Sequence, residues 1–365
     1  YLAEAAFRMM LQSGLLPDGA VQLIVGGVGD LLDHLGPQDV VSFTGSAATA
    51  GRLRAHSGLL AAGTRFVAEQ DSLNAAVLGV DCDPDSPEFS QFIKEAAAEM
   101  TTKAGQKCTA MRRLIVPDTR VDDVVAALSA RLSGATLGDP ADKATRMGAL
   151  VSQAQRDDVL AVAARIGAEA RRVFGGEAAR GVPDTGAFLP PQLFLCDDPD
   201  AARVVHEAEA FGPVATILPA RDMGHAAELA NRGGGSLVSS IFTHDPQIAR
   251  GYITAAGAWH GRVYIADRDS AGEATGHGSP LPHMIHGGPG RAGGGEELGG
   301  VRGILHYMAR VAVQGSPRML TAVGGEWVPG TPEVAGPSHP FRRSFTEIGI
   351  GETIVTAARE ITMED

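Results

Sequence analysis

Apolar residues recur along this chain with two alternating periods, one helical and one strand-like, and that alternation predicts a layered α/β protein. Residues 2–12 carry apolar positions at helical spacing and predict an amphipathic helix. Residues 21–25 are a short apolar run ending in Gly26-Gly-Val-Gly29 and predict a strand, followed by a helix over 30–35 and a strand over 40–43. Thr44-Gly-Ser46 then opens a helix through Leu53, and residues 66–69 and 75–78 predict two further strands. Strands separated by helical stretches of this length imply a parallel sheet.

The second stretch repeats the theme with longer helices. Helices are predicted over 89–102, 121–132, 153–168 and 226–231, and strands over 113–116, 193–195, 214–218, 238–243 and 262–265. Residues 287–300 are glycine-dense, and the helical pattern that resumes over 301–308 points to an ordered loop leading into a helix rather than a flexible linker. Between residues 323 and 338 the composition shifts to Gly, Pro and Glu, as in a domain linker. The expected organisation is a partial dinucleotide-binding domain over 1–79, a catalytic α/β domain over 80–295, a return segment over 296–322, a linker over 323–338 and a short further piece over 339–365. Tyr1 opens within a helix and Asp365 closes without an element, so the sequence reads as a segment of a longer protein.

A chain of 365 residues exceeds one ordinary core and predicts two or more domains. The net charge of −12 argues against a nucleic-acid partner, because phosphate binding needs a basic surface. No apolar run approaches the roughly 18 residues of a membrane span, so no membrane partner is expected. Three cysteines, Cys82, Cys108 and Cys196, cannot all pair internally and match no zinc-site spacing. A reducing cytoplasm is the expected compartment.

Cys108 carries the strongest chemical signal. It follows a Gly105-Gln106 break, with Lys103 and Lys107 before it and Arg112 and Arg113 after it, and cationic neighbours favour the nucleophilic thiolate. A buried structural cysteine is the alternative. Gly45-Ser46, between a strand and a helix, could seat a phosphate on free amides or serve only as an N-cap. Gly26 and Gly29 follow a predicted strand but complete no GxGxxG. Glu69 at a strand end could be a general base or a solvated loop acid. Glu207 and Glu209 precede Phe211-Gly-Pro213 and could meet a ribose diol or face solvent. His206, His277, His283 and His286 have no carboxylate or Cys at ligand spacing along the chain, so no metal is expected. A serine hydrolase is disfavoured because no G-x-S-x-G occurs.

Taken in chain order, these motifs resemble the aldehyde dehydrogenase superfamily. The motifs are Phe43-Thr-Gly-Ser46, Glu69, Gly105-Gln-Lys-Cys108 (39 residues beyond Glu69), Gly138-Asp-Pro140 with Met147-Gly-Ala-Leu150, Glu209-Ala-Phe-Gly-Pro213 and Glu297-Leu-Gly299. The resemblance covers about 300 residues, and the order of the motifs gives it weight. Glu69-Gln-Asp-Ser-Leu-Asn74, residues 101–110, Gly276-His-Gly-Ser-Pro-Leu-Pro282 and residues 287–300 are similar to the ring-opening branch of bacterial phenylacetate breakdown. In that branch a dehydrogenase is fused to a MaoC-like hot-dog hydratase domain.

The resemblance implies Cys108 as nucleophile, Glu69 as general base, and Thr44, Gly45, Ser46 and Gly26 as cofactor-phosphate residues. It further implies that Glu209 and Phe211 position the nicotinamide, with NADP as cofactor and NAD as the second choice. The implied substrate is a CoA-linked aldehyde, 3-oxo-5,6-dehydrosuberyl-CoA semialdehyde, and the implied assembly is a homo-oligomer through the tail after Glu297. Residues 339–365 resemble the start of the hydratase domain, whose Asp/His motif would lie beyond Asp365. After the general base the wider family has Leu-Gly-Gly-Lys, whereas this chain has Gln70-Asp71-Ser72-Leu73, as the phenylacetate branch does. The family's oxyanion Asn and ribose-binding Lys would lie upstream of Tyr1, so residues 1–365 alone are expected to show little turnover. The alternatives are a general dehydrogenase of small aldehydes and a non-enzymatic, oligomer-forming piece in which Cys108 merely packs.

Overall fold

Successive apolar residues in the central strands can be satisfied only by burial on both faces, and a two-sided parallel sheet provides it. The structure, a computed structural model, describes residues 1–176, 186–281, 284, 286–297 and 300–331. Its contacts divide the chain into Tyr1–Met308 and Ala309–Asp365. The first unit begins with α1 (Leu2–Gln12), β1 (Val40–Thr44), α2 (Ala47–Arg54), α3 (Ser57–Ala62), β2 (Arg65–Glu69), β3 (Ala75–Leu78), α4 (Pro87–Thr101) and β4 (Arg113–Pro117). It continues through α5 (Val121–Leu132), α6 (Gln153–Ile166), β5 (Arg171–Phe174), β6 (Gln192–Leu195), α7 (Val204–Glu207), β7 (Val214–Ala220) and α8 (Met223–Asn231). It closes with β8 (Ser236–Phe242), α9 (Pro246–Ala256), β9 (His260–Ala266), the short strands β10 (His286–Gly287) and β11 (Glu296–Glu297), and α10 (Gly300–Tyr307). In the second unit the described residues form α11 (Pro317–Gly324), capped by the Ser316 hydroxyl accepting from Met319 N.

Seven strands form one sheet in the order β5-β6-β7-β4-β3-β8-β9. Every neighbouring pair is parallel except β5–β6 at the edge. Successive residues of β3, β4 and β7 feed opposite cores. Ala75, Val77, Ile115, Val214 and Leu218 pack with α6, α8 and α9. Ala76, Leu78, Leu114, Val116, Ala215 and Ile217 pack with α4 and α5. This is the predicted parallel α/β architecture.

Several expectations change. Residues 21–25 form no strand, and their exposed apolar side chains, Val25 at 83% exposure, pair with no other strand among the described residues. Residues 30–35 reduce to a single 3-10 turn, Leu31–His34. The expected boundary at residue 79 falls after β3, yet β3 lies between β4 and β8 in the seven-stranded sheet, while β1 and β2 form a separate parallel pair. The elements α3, β5, α7, β10, β11, α11 and α9 went unpredicted. The last of these is announced by Asp245-Pro246, an N-cap followed by proline at the first helical position. Residues 339–365, expected to open a hot-dog domain, lie outside the described residues, as do Leu298, Gly299 and His283.

Arg113, the first residue of β4, is the largest fully buried side chain among the described residues. Its guanidinium donates to the carbonyls of Leu73 (2.8 Å), Leu229 (2.7 Å) and Ala230 (2.8 Å). Burial draws its pKa down to about 10, which leaves it charged near neutrality. It therefore ties the turn before β3 to the end of α8. Arg113→Met should remove the donor from the Leu73 and Leu229 carbonyls, while Ala230 keeps Gly233 N, and cost at least about 2 kcal/mol. Urea unfolding of the variant would show this, and a loss below about 1 kcal/mol would contradict it.

Candidate active site

The segment between α4 and β4 is a strained loop that presents Cys108. Lys103 and Ala104 both adopt φ 53°, a left-handed conformation that non-glycine residues rarely hold. Gly105 follows at φ 68°, and a Cβ there would lie 2.3 Å from the Gly212 carbonyl oxygen. Only glycine fits that approach.

Two buried side chains hold this loop. The Asn74 amide donates to the carbonyls of Cys108 (2.8 Å) and Ala110 (3.0 Å). Arg112 donates to the carbonyls of Gly105 (2.9 Å), Lys107 (3.3 Å) and Gly212 (2.7 Å), and through Nε to Glu209 (3.1 Å). Gln106 accepts from Val151 N at 2.8 Å, joining the loop to the Met147–Leu150 motif.

The cationic neighbours expected to favour the thiolate turn out to be committed elsewhere. Lys107 pairs with Glu99 at 2.8 Å. Arg112 and Arg113 spend their donors as just described, and Lys103 borders a different hollow, beside Pro140 and Gly148.

The carboxylate and the phosphate motif reach Cys108 through β1 and β2. In that parallel pair Thr44 stands opposite Glu69, and Gly45 N donates to the Glu69 carbonyl at 3.1 Å. Ser46 caps α2 by accepting from Thr49 N at 3.2 Å. Asp71, just past Glu69, accepts from Ala47 N at 2.9 Å and faces Arg291. Glu69 is 4% exposed, so it is not the solvated loop acid of the alternative reading.

A cleft of about 440 Å³ gathers Thr44, Gly45, Ser46, Glu69, Cys108, Glu209 and Phe211, with Gln155, Asp158, Val159 and Val162 of α6 opposite. Seven of the eight residues expected at the site therefore share one space. The exception is Gly26, which does not line the cleft. Residues 21–25 make no strand from which a glycine turn could be presented, and a Cβ on Gly26 would meet nothing within 4 Å. Glu209 does not face solvent, because Arg112 and Ser72 N (2.9 Å) hold its two oxygens. Burial pushes its carboxyl pKa up, opposed by Arg112. Phe211 lies beneath the Arg112 guanidinium, 5.4 Å from its ring centre.

The histidines divide. His277 is buried between Ser240 and the Thr109 carbonyl, and burial lowers its pKa to about 3. His206 contacts Arg113 and the Pro199 carbonyl, and burial lowers its pKa to about 4. Both are neutral packing groups. His286 is different. Its Nε2 lies 3.9 Å from Cys108 Sγ and 3.4 Å from Glu69 Oε2, although neither partner is near it in sequence. The other two thiols are inert by contrast: Cys82 and Cys196 are buried, and burial raises their pKa values to about 12 and about 11.

Sequence reasoning missed Asp71, Asn74 and His286, and it misread Arg112. For Asn74 a signal existed in the Glu69–Asn74 run. His286 had none, because only the fold shows where its loop lies.

A nicotinamide dinucleotide fits what is present. The first turn of α2 bounds one end of the cleft and the sulfur borders the same space, with Glu209 and Phe211 between the Cys108 loop and α6. Helix-start amides attract phosphate, and an aromatic face suits a flat ring.

Known proteins carry the same pattern. The chain is 41% identical over 293 residues to the 3,4-dehydroadipyl-CoA semialdehyde dehydrogenase of Aromatoleum evansii, covering 79% of this chain and 57% of that protein. It is 50% identical over 220 residues to Protein MaoC of Klebsiella aerogenes, covering 60% of this chain and 65% of that protein. The chain thus spans less than two thirds of the length of either relative. Among solved structures it resembles betaine aldehyde dehydrogenase from Staphylococcus aureus in complex with NAD+, at a TM-score of 0.69 and 27% identity over 82% of this chain and 56% of that one. It also resembles a lactaldehyde dehydrogenase, at a TM-score of 0.71 and 25% identity over 83% of this chain and 60% of that one. The model of the aldehyde dehydrogenase family matches residues 2–313, and over that span, parallel sheet and cleft included, the chain belongs to the aldehyde dehydrogenase family.

Proposed function

We propose that this chain is the dehydrogenase portion of an enzyme that oxidises a CoA-linked semialdehyde to its acid, with NADP as cofactor and NAD as second choice. The convergence of Cys108, Glu69 and the α2 N-terminus in one cleft carries this reading. The substrate we assign is 3-oxo-5,6-dehydrosuberyl-CoA semialdehyde of phenylacetate breakdown. The likeness to a relative named for a CoA semialdehyde supports that assignment. The same reading places the enzyme in the cytoplasm and takes residues 339–365 as the start of a hydratase domain. It also assembles the enzyme as a homo-oligomer through α10, whose Val301, Ile304 and Leu305 are exposed.

The Cys108 thiolate attacks the aldehyde carbon and gives a thiohemiacetal oxyanion. The Cys108 amide is the donor this chain offers to that charge, and loss of one such donor typically costs about 3–4 kcal/mol of barrier. A bound nicotinamide supplies the two-electron acceptor that turns the thiohemiacetal into a thioester. Glu69 then takes a proton from the water that attacks the thioester, and the thiolate leaves. Glu209 is held by Arg112 and Ser72 as a fixed acceptor on the cleft wall, while Phe211 and Val159 keep part of the cleft dry.

In the full-length protein Cys108→Ala should abolish dehydrogenase turnover. Normal rates in that variant, followed as reduced cofactor, would remove the nucleophile. Glu69→Gln should release one equivalent of reduced cofactor and then stall, and an unchanged steady state would take Glu69 out of deacylation. Comparing kcat/KM for a CoA-linked semialdehyde with that for a free short aldehyde, each with NADP and with NAD, tests the substrate assignment. Equal or better use of the short aldehyde would make this a general dehydrogenase of small aldehydes.

A further inference from the structure

We propose that His286 is a catalytic residue, the base that takes the thiol proton of Cys108 and, as imidazolium, stands between the thiolate and Glu69. The proposal rests on the reading of Cys108 as the nucleophile. Three of the loop's cations have partners elsewhere: Lys107 pairs with Glu99, and Arg112 and Arg113 donate to carbonyls and, for Arg112, Glu209. His286 Nε2 is a basic nitrogen 3.9 Å from the Cys108 sulfur, and the same nitrogen lies 3.4 Å from Glu69. All three reactive atoms fall within 4.8 Å of one another.

The placement of the imidazole is built in. His286 opens β10 and stands opposite Glu297 of β11. A Cβ on Gly261 would lie 1.6 Å from the Gly287 carbonyl oxygen, and one on Gly288 would lie 2.1 Å from that of Ser236. Further along, Gln70 N donates to the Ala292 carbonyl and Gly295 N to that of Ala68. The glycine-dense segment is thus pressed against β8, β9 and β2, and it delivers the imidazole to Glu69. A linker would need none of these contacts.

In the step proposed, the Cys108 S–H bond breaks and its proton forms an N–H bond at Nε2, with Nδ1 carrying the proton of the neutral ring. The electron pair stays on sulfur. The imidazolium then has an anion on either side, and the thiolate gains a neighbouring cation. Among the described residues, the other charged groups lining the cleft are Glu209, held by Arg112, Asp71, held by Ala47 N and Arg291, and Asp158 on α6. All three are acidic. No oxidant is consumed in this step, and when the thioester is hydrolysed the departing thiolate returns to the same imidazolium.

The test is the rate of iodoacetamide modification of Cys108 in the full-length protein from about pH 5 to about pH 10, in EDTA buffer, comparing wild type, His286→Asn and His286→Ala. Cys82 and Cys196 are the internal controls. Wild type should modify rapidly below neutral pH. His286→Asn should lose about tenfold or more near neutral pH and converge with wild type above about pH 9, where an unassisted thiol ionises. Convergence at high pH shows that the cleft is intact, which a misfolded variant would fail. Added imidazole should restore part of the lost rate in His286→Ala. Superimposable pH profiles for wild type and both variants would overturn the role of His286 while leaving Cys108 as nucleophile. Failure of wild-type Cys108 to react ahead of Cys82 and Cys196 would overturn the dehydrogenase reading itself.

Discussion

Arg112 is the buried cation around which the cleft is organised. Its donors join the Gly105 and Lys107 carbonyls on one side to Gly212 and Glu209 on the other. The sulfur-bearing loop and the Glu209–Pro213 turn are therefore one rigid body, although about a hundred residues separate them. A guanidinium suits this task because its planar fork meets several acceptors at once, where an ammonium would act as a point charge. The arrangement also carries the cost of the loop. Two consecutive non-glycine residues in the left-handed region cost of order 1–3 kcal/mol each, and hydrogen bonds to a charged donor, about 1.5–3 kcal/mol each, offset that strain. Rigidity at the sulfur is thus maintained against a backbone that would otherwise relax.

The same packing creates an electrostatic difficulty. Placing a thiolate within 4.8 Å of a buried carboxylate sets two negative charges against each other by on the order of 3 kcal/mol at an effective dielectric near 20. Arg112 does not relieve this, since Glu209 and the loop carbonyls occupy it. In the proposed mechanism the placement of Glu69 therefore works against the nucleophile it is assigned to serve. A positively charged imidazole between them, as proposed for His286, would relieve the conflict.

Much of the fold was legible because the central strands β3, β4 and β7 are apolar on both faces and several helices carry their own start signal. Ser46, Ser86, Ser152 and Asp222 cap α2, α4, α6 and α8 through their side chains. Residues 21–25 misled because an apolar run of five is only a strand if another strand pairs with it. The glycine-dense stretch was legible as ordered, but its purpose was not. Glycines that let two backbones touch look the same in sequence as glycines in a linker.

The candidate site divides along the same line. Cys108, Glu69 and the Thr44–Ser46 turn stand in short motifs whose local pattern already carries a chemical meaning. The electrostatics around them could not be read locally. Lys107, Arg112 and Arg113 flank the sulfur in sequence yet face Glu99, Glu209 and a set of core carbonyls, because a helix end, a loop and a strand send neighbouring side chains in different directions. His286, which does face the sulfur, comes from 178 residues away. A nucleophile's protonation is governed by what the tertiary fold brings within about 4 Å, and a run of adjacent charges measures that only where the backbone stays straight.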